Sequence, residues 1–304
     1  GDQETHSFRI DTSVYQTAWH PTLDMYLPVQ MDHMTVNEAY RVWHGASHLD
    51  DALQAPVNHE HFDLYAQGPT TDTPYKPGEH IPGLNIGGWY DAGDYDIRTQ
   101  TQYDVVNTLV TVWETFGLKR DTFGLKRDTT SVDYARKFVD LHTADGKPDV
   151  LQQIEHGTLA LIAQHRAVGH AIPGIVEAHI DQYTHLGDGV TKTDNLIYDP
   201  KKSELETDGF KSGKFDDRWA FTSKSSSLNY GSAAALAAAS RALKGFNDAL
   251  AKESIDTAKK VWIEEQSKPQ PDSFKYGNTT GGKLEHEQLK AATELLITTG
   301  DAKY

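Results

Sequence analysis

The sequence contains no cysteine, which excludes disulfide bonds, thiolate metal ligands and a cysteine nucleophile. It has no apolar run approaching the eighteen or so residues of a membrane-spanning helix. Its first residues have neither the basic nor the apolar region of a signal peptide, so we expect any exported form to be a processed or truncated one.

Basic residues are also scarce, with 29 Lys and Arg against 44 Asp and Glu and a net charge of -15. Such a charge repels nucleic-acid phosphates and anionic lipid, so neither nucleic acid nor a membrane is an expected partner. The 304 residues are 38% hydrophobic and 10% aromatic, which predicts one large folded domain rather than a disordered chain.

The chain changes character near residue 100. Before it, frequent prolines predict mostly loop, above all over 50–96, with one strand over Ser7–Tyr15. After it, the apolar spacing predicts seven helices and an α/α architecture. The helices are predicted over Thr101–Phe116, Val132–Leu141, Pro148–Val168, Ile175–His185, Leu228–Lys244, Asp248–Glu265 and Leu284–Thr298.

Two further segments bear on the helices. The small side chains of Gly231–Ser240 predict a helix that its neighbours approach closely. The seven residues Phe116–Thr122 are repeated as Phe123–Thr129, and the glycine in each copy favours a lengthened loop over a lengthened helix.

The segment Gly87–Asp96 packs three glycines, three aromatic residues and three carboxylates into ten positions. Its glycines allow tight turns, and Asp91 and Asp94 are spaced so that both can reach one water molecule. Two other interpretations stay open. Asp94 or Asp96 could cap the following helix, or Asp-x-x-Asp-x-Asp could bind calcium, although no glutamate closes such a loop.

Within this segment, Gly-Gly-Trp-Tyr-Asp-Ala-Gly-Asp resembles the signature of glycoside hydrolase family 9, the inverting cellulases and related β-glucanases. Similarity to that family extends to Pro148–Ile154, Ala233–Leu243 and Ala291–Tyr304, so the resemblance covers about residues 85–304. Residues 44–51 resemble the start of the catalytic domain in members with an upstream immunoglobulin-like domain. We therefore expect residues 1–30 to be a linker or remnant after such a domain, and 31–304 to be a partial catalytic domain lacking its C-terminal part.

The resemblance implies an all-α fold, an (α/α)6 toroid, incomplete in this chain and preceded by an irregular N-terminal segment. Inverting hydrolysis needs a general base that activates water and a general acid that protonates the departing oxygen. By position, Asp94 would be the base and Asp91 its partner on the same water. The implied substrate is a β-glucan or cello-oligosaccharide, with Trp89, Tyr90 and His48 as substrate-binding residues. For Trp89, packing in the core is an equal alternative.

The same resemblance implies a secreted or periplasmic enzyme that needs no cofactor, with a structural calcium ion as an option. The histidine pairs His44 with His48 and His59 with His61 have spacings that can bind zinc. Without a third ligand fixed by the sequence, we interpret them as loop or structural histidines and assign no metal site.

One part of the family pattern is missing, because the catalytic glutamate follows a His-His-Arg segment that this sequence does not contain. Glu155, Glu177, Glu285 and Glu287 are possible substitute acids, but each lies in a predicted helix where a solvated face is the commoner explanation. The absence of an acid keeps a second hypothesis open, a non-catalytic glycan-binding protein or an inactive fragment.

Overall fold

The computed structural model describes residues 6–12, 14–118, 124–187 and 189–304. Over these ranges five α-helices pack together, and the remaining segments are short strands, short helical turns and loops. The α-helices are α1 (Thr99–Val112), α2 (Asp149–Val168), α3 (Ser226–Ala242), α4 (Asp248–Ser267) and α5 (Leu284–Thr299). Shorter helical turns lie at Thr22–Tyr26, Pro28–Gln30 and Trp113–Gly117.

Twelve short strands of two to four residues form four small sheets in the described ranges. The strands are β1 (Thr35–Glu38), β2 (Arg41–His44), β3 (Leu53–Gln54), β4 (His59–Glu60), β5 (Ala66–Gln67), β6 (Ile97–Arg98), β7 (Thr130–Asp133), β8 (Phe138–Leu141), β9 (Gly174–Glu177), β10 (Ile197–Tyr198), β11 (Lys211–Ser212) and β12 (Arg218–Phe221).

Two of these sheets have four strands. The first has the order β2-β1-β8-β7, in which only the β1–β8 pair is parallel. The second has the order β3-β12-β9-β6, with β3 parallel to β12 and the other pairs antiparallel. β4 pairs with β5, and β10 pairs with β11. Strand β6 of the second sheet runs directly into α1. The sheet therefore fixes the position of the residues just before that helix.

Helix α3 lies at the centre of the helical layer and contacts α1, α2, α4 and α5. Its alanines over 233–239 are buried, as the small-residue pattern predicts. Gly231 shows how close the approach is, because a Cβ at this position would lie 2.4 Å from the ring of Tyr103 on α1. The helix begins after Ser225, whose side chain accepts a hydrogen bond from the Leu228 N–H, and α5 ends at Gly300 in the left-handed conformation.

The prediction of an all-α toroid is wrong for this chain, because strands occupy two of the seven predicted helices. Over Val132–Leu141 the chain forms the β7–β8 hairpin, in which buried and part-buried residues alternate. Over Ile175–His185 it forms the fully buried strand β9 followed by loop. Short apolar runs do not distinguish a buried strand from a helix turn, and the apolar residues of these two segments happened to match both periods.

The other five predicted helices are confirmed, with ends within a few residues of those expected. The strand predicted over Ser7–Tyr15 is wrong in the described part of that segment, where the chain is extended or turning without a strand. The junction of the duplicated heptad, residues 119–123, lies outside the described residues. From the second copy, Leu125 is buried in the core.

A buried ionic network joins strand β12 to the N-terminal loops. The guanidinium of Arg218, at the start of β12, donates to Asp32 Oδ2 at 2.5 Å and to both oxygens of Asp51, with 3.1 Å from Nε to Oδ1. It also donates to the Tyr95 carbonyl at 2.5 Å, and His33 lies 3.0 Å from Asp51 Oδ2. Arg218, Asp32 and Asp51 are each 0% exposed.

Burial alone would raise the pKa of Asp32 and of Asp51, but the charge of Arg218 and the nearby His33 outweigh it and hold both values below the usual range. The same carboxylates raise the pKa of Arg218 well above its ordinary value despite its burial. All three groups are therefore charged, and each depends on the others for its stability in the interior.

Within the described ranges, none of the helices combines the length and the apolar composition that crossing a lipid bilayer requires.

We predict that Arg218→Met lowers the free energy of unfolding by about 3–5 kcal/mol, because it leaves two buried carboxylates without a counter-charge. Urea unfolding followed by circular dichroism measures this. Arg166→Met is the matched control, since Arg166 is exposed and pairs with Glu253 on the surface, where the expected loss is at most about 1 kcal/mol. Equal losses in the two variants would contradict the proposed dependence.

Candidate active site

The segment Gly87–Asp96 is held against α1 and α2 by its backbone. The Gln102 side chain on α1 accepts from the Trp89 N–H and donates to the Trp89 carbonyl, both at 2.9 Å. On α2, His156 Nε2 lies 2.7 Å from the Gly88 carbonyl oxygen. Gly87 has a φ of 72°, and a Cβ there would lie 2.4 Å from the His156 carbonyl oxygen, so this position requires glycine.

Residues 91–94 form a tight turn at the surface end of this segment. The N–H groups of Gly93 and Asp94 donate to the Asp91 carbonyl at 2.7 and 3.2 Å, and the Asp91 N–H donates to the Asp96 carbonyl at 2.9 Å. Ala92 and Gly93 have φ values of 55° and 117°, which close the turn. Asp91 and Asp94 therefore share one short loop, and both are partly buried.

The Asp94 carboxylate is fixed at one oxygen and free at the other. The Tyr183 hydroxyl donates to Asp94 Oδ2, while Asp94 Oδ1 has no hydrogen-bond partner among the described residues. This hydrogen bond is the main cause of the raised pKa of Tyr183. The Asp94 backbone also pairs with that of His185, which ties the turn to the 183–186 loop. The arrangement orients the carboxylate and leaves one buried oxygen without a hydrogen bond from the described residues.

Asp91 lies beside Arg98, with 3.4 Å between Asp91 Oδ2 and Arg98 Nε. Burial raises the pKa of Asp91, the charge of Arg98 opposes the rise and the charge of Asp94 adds to it. The charge of Asp94 thus favours the protonated form of Asp91.

Two further carboxylates adjoin Asp94. One oxygen each from Asp63, Asp94 and Asp96 lie within 4.8 Å of one another. The Tyr65 hydroxyl donates to Asp96 Oδ2 at 2.5 Å, and burial raises the pKa of Asp96 well above its ordinary value. Burial and the charge of Asp94 raise the pKa of Asp63 to about 6, against the opposing charge of Arg98. Sequence reasoning missed Asp63, because it lies in an irregular loop with no recognisable pattern.

The helix-capping alternative for Asp94 or Asp96 is wrong. Helix α1 follows Arg98, and no side chain caps its N-terminus. Asp96 instead binds Tyr65, and Asp94 binds Tyr183.

The aromatic residues of the segment lie in the interior. Trp89 is 3% exposed, its Nε1 donates to Gln153 Oε1 at 2.8 Å, and its ring lies against Gly157 of α2. Tyr90 is 2% exposed and makes edge-to-face contacts with Tyr95 and with His44. For Trp89 this is the packing alternative that the sequence left open.

His48 is buried, but it lines a cavity of about 440 Å³. The cavity is bordered largely by polar and charged residues, and no residue of the turn at 91–94 is among them. They are His48, Glu177, Asp181, Gln182, Lys192, Thr193, Glu204, Gly213, Lys214, Phe215 and Asp216. Burial lowers the pKa of His48 to about 4, with a further contribution from the charge of Arg218, so the imidazole is neutral at pH 7.

Glu177 was predicted to lie on a solvated helix face, and this prediction is wrong. It ends the strand β9, is 3% exposed, and neither of its carboxylate oxygens has a hydrogen-bond partner among the described residues. Burial raises its pKa to about 7, and the charge of Asp94 contributes to the rise. Glu177 can therefore hold a proton near neutral pH beside the cavity.

The other three glutamates lie in helices, as predicted. Glu285 is exposed on α5, which agrees with a solvated face. Glu155 accepts from Asn247 Nδ2 at 2.6 Å. Glu287 is buried and lies 3.2 Å from Lys290 Nζ, so the interpretation as a solvated face is wrong for it as well.

Three groups of side chains in the described ranges bring together enough donor atoms for a metal ion. In the first, Asp32, His33 and Asp51, the guanidinium of Arg218 already supplies positive charge. The second is Asp63, Asp94 and Asp96, and the third is Asp50, Asp216 and Asp217. Neither His44 with His48 nor His59 with His61 is among these groups. The rings of His59 and His61 pack on Trp219 and Phe221.

The comparison with protein families finds one match, in which the model of Glycosyl hydrolase family 9 covers residues 15–304. No curated protein matches the chain. Among solved structures, endoglucanase J30 of this family has a TM-score of 0.63 at 21% identity over 100% of this chain and 49% of its own. A metagenome-derived family 9 endoglucanase has a TM-score of 0.62 at 18% identity over 96% and 44%.

A third structure, AaCel9A in complex with cellobiose-like isofagomine, has a TM-score of 0.58 at 19% identity over 94% of this chain and 45% of its own. These similarities show a shared fold. The chain spans less than half the length of each of these three solved structures.

We predict that Glu177 titrates near pH 7 and that Asp94→Asn lowers its pKa, because the substitution removes a neighbouring negative charge. Carboxyl carbon chemical shifts of glutamate-labelled protein, followed from pH 4 to 9, measure both values. Glu253→Gln is the control, since Glu253 lies on the surface beside Arg166 and should leave the titration of Glu177 unchanged. Titration of Glu177 near 4.5 would contradict the buried environment described above.

Proposed function

The chain belongs to glycosyl hydrolase family 9, and we propose on that basis that it is part of an inverting β-1,4-glucan hydrolase of the endoglucanase type. Residues 31–304 would form part of the catalytic domain, with residues 1–30 preceding it. The observation that carries the proposal is the turn at 91–94, where Asp91 and Asp94 share one short loop, the Tyr183 hydroxyl donates to Asp94 Oδ2, and Asp94 Oδ1 has no hydrogen-bond partner among the described residues.

Asp94 is the proposed general base. A carboxylate that has one oriented oxygen and one free oxygen can accept a proton from a water molecule at the free oxygen. Tyr183 fixes the direction in which that oxygen points. The water then attacks the anomeric carbon from the face opposite the departing sugar, which inverts the configuration.

Asp91 is the proposed partner of Asp94 on the same water. It lies in the same turn, and Arg98 at 3.4 Å supports its charged form. A second acceptor on one water orients the attacking lone pair, which is the positioning part of the catalytic effect.

The mechanism also needs a general acid, and none of the segments in which this chain resembles the family supplies one. An inverting pair needs carboxyl groups about 6.5–9.5 Å apart. Glu177 holds a proton near neutral pH, but it lies on β9 and not on a segment that resembles the family's acid. We therefore assign the acid to the part of the family fold that the chain does not span.

The proposed substrate is a β-1,4-linked glucan or cello-oligosaccharide, in line with the cellobiose-like ligand named for AaCel9A. His48 reaches the cavity and is a proposed substrate contact. Trp89 and Tyr90 would support the turn from the interior rather than stack on a sugar. Because polymeric glucan lies outside the cytoplasm, we propose a secreted or periplasmic location, and the reaction needs no cofactor.

We predict that the purified chain hydrolyses dinitrophenyl β-cellobioside but cleaves unactivated cello-oligosaccharides about 10²–10⁴-fold more slowly than an enzyme with its acid in place. Dinitrophenolate departs without protonation, so only the base is required. Asp94→Asn should lower the rate on the activated substrate by about 10²–10⁴-fold, measured by phenolate release.

Asp256→Asn is the control for this experiment, because Asp256 is exposed on α4 and pairs only with Lys252 among the described residues. Proton NMR of the first product should show the α-anomer, as inversion at a β-linkage requires. Retention of configuration, or full activity of Asp94→Asn, would overturn the assignment. Rapid cleavage of unactivated cello-oligosaccharide would place an acid within this chain and make Glu177 the first candidate to test.

A further inference from the structure

The cavity that His48 lines contains a carboxylate for which the described residues supply no partner. Glu177 is 3% exposed and borders this cavity of about 440 Å³, and neither of its carboxylate oxygens accepts a hydrogen bond from the described residues. Leaving a buried carboxylate without hydrogen bonds is costly. A molecule that fills the cavity and donates hydrogen bonds to Glu177 would remove this cost.

Several other polar side chains of the cavity already have partners within the protein. Gln182 donates from Nε2 to a backbone carbonyl at 2.6 Å, and Thr193 Oγ1 donates to a carboxylate oxygen at 3.2 Å. Lys214 Nζ lies 2.9 Å from an oxygen of Asp216. Glu177 differs from these residues because both of its oxygens are open.

Lys192 brings a hydrogen-bond donor to the same cavity. Its side chain is part-buried, and its Nζ lies 5.3 Å from the centroid of the Tyr95 ring. Over the described ranges, this ammonium group has neither a hydrogen bond nor an ion pair within 4.0 Å. Its charge acts on Glu177, but the two groups are not hydrogen-bonded to each other. The cavity thus contains an acceptor and a donor that do not satisfy one another.

Phe215 adds an apolar surface to the cavity wall. Its ring is part-buried and packs against the rings of His179 and Tyr198, with centroids 5.3 and 4.8 Å away. A pyranose ring has hydroxyl groups around its edge and C–H groups on its faces, so it binds where polar groups and an apolar surface meet. Glu177, Lys192 and Phe215 supply an acceptor, a donor and an apolar surface in one cavity of a size that small ligands occupy.

The cavity adjoins the candidate base through two neighbouring segments. Lys192 lies over the ring of Tyr95, the residue after Asp94. Gln182 borders the cavity, and the next residue, Tyr183, donates to Asp94 Oδ2. A sugar ring in the cavity would therefore lie near the bond that Asp94 is proposed to hydrolyse.

We propose that this cavity binds one sugar ring of the glucan, with the Glu177 carboxylate accepting hydrogen bonds from its hydroxyl groups and Lys192 donating one to it. The inference rests on the proposed function, because it takes the ligand to be a further unit of the substrate chain. Glu177 lies outside the segments whose residues resemble the family, so the resemblance does not assign it this role. Glu177 is on this view a residue that binds and selects substrate.

The test is isothermal titration calorimetry with cellotetraose, which the chain is expected to cleave only slowly. Glu177→Met keeps the length of the side chain and removes both acceptors, so its Kd should rise by about 10–100-fold, as expected for hydrogen bonds to a charged group. Lys192→Met removes the donor and should raise Kd by about 10–100-fold for the same reason. Glu177→Gln keeps one acceptor oxygen and should bind more tightly than Glu177→Met.

Glu264→Met and Lys260→Met are the matched controls, because these two residues form an exposed pair on α4. Both variants should bind cellotetraose as the unsubstituted chain does. Glu177→Met should melt no lower than the unsubstituted chain, because the substitution breaks no side-chain hydrogen bond of Glu177.

A second measurement needs no substitution in the cavity. In glutamate-labelled protein, the carboxyl carbon signal of Glu177 should shift when cellotetraose is added, while that of Glu264 stays in place. This readout reports contact with the sugar even if Glu177→Met does not fold.

The inference is overturned if cellotetraose does not bind, if Glu177→Met binds it with unchanged affinity, or if the Glu177 signal does not move at saturation. It is also overturned if Glu177→Met lowers kcat on cellotetraose while Kd stays the same, since Glu177 would then act in the chemistry and not in binding.

These failures can be told apart from failure of the proposed function, which the release of dinitrophenolate measures. Binding that depends on Glu177, in a chain that releases no dinitrophenolate, supports this inference and contradicts the role of Asp94. Release that depends on Asp94, with unchanged affinity in Glu177→Met, supports the proposed function and overturns this inference.

Discussion

The fold depends on one buried guanidinium. Arg218 of β12 binds Asp32 and Asp51 from the irregular N-terminal part and the carbonyl of Tyr95 from the candidate active site. Burying an ion cluster is costly, and the loss of one member leaves the others uncompensated. Three acceptors from different parts of the chain converge on this one guanidinium, so the cluster ties their segments to β12. The proline-rich segment is thereby fixed to the sheet without regular structure of its own.

The helical half of the fold could be predicted from the sequence, and the sheet half could not. Helices such as α2 and α3 are long, periodic or rich in helix formers, and these signals act locally. Strands β9 and β12 have four residues each, and their partners lie far away in the chain. A four-residue apolar run such as that of β9 carries no period that separates strand from helix, so its pairing is decided by tertiary contacts. The family resemblance implied the same all-α fold, so it did not predict the strands either.

The site shows the same division. The Gly87–Asp96 motif predicts a tight turn with two aspartates, and the chain forms that turn. Gly87 lies where a side chain would collide with α2. What surrounds the turn is not local in sequence. Asp63 comes from one distant segment and Glu177 and Tyr183 from another, and none belongs to a pattern that sequence reasoning could recognise. The burial of Glu177 could not be predicted for a physical reason. A glutamate after a short apolar run is typical of an exposed helix face, and only the pairing of β9 on both sides shows that this residue lies in an inner strand.

The loops and strands, rather than the helices, therefore set the chemistry of this site. Helices α1 and α2 hold the backbone at Trp89 and Gly88. The Asp94 carboxylate is instead oriented by a hydrogen bond from Tyr183, which lies in the loop after β9. That loop leads into the segment that ends at Asp216, Asp217 and Arg218, where the chain returns to the sheet. Arg218 itself donates to the carbonyl of Tyr95, the residue after Asp94, so the buried network also holds the backbone next to the turn. Strand β12, which the sequence did not predict, and the loop after β9 therefore supply the contacts that hold Tyr95 and Asp94, whose segment the sequence did predict.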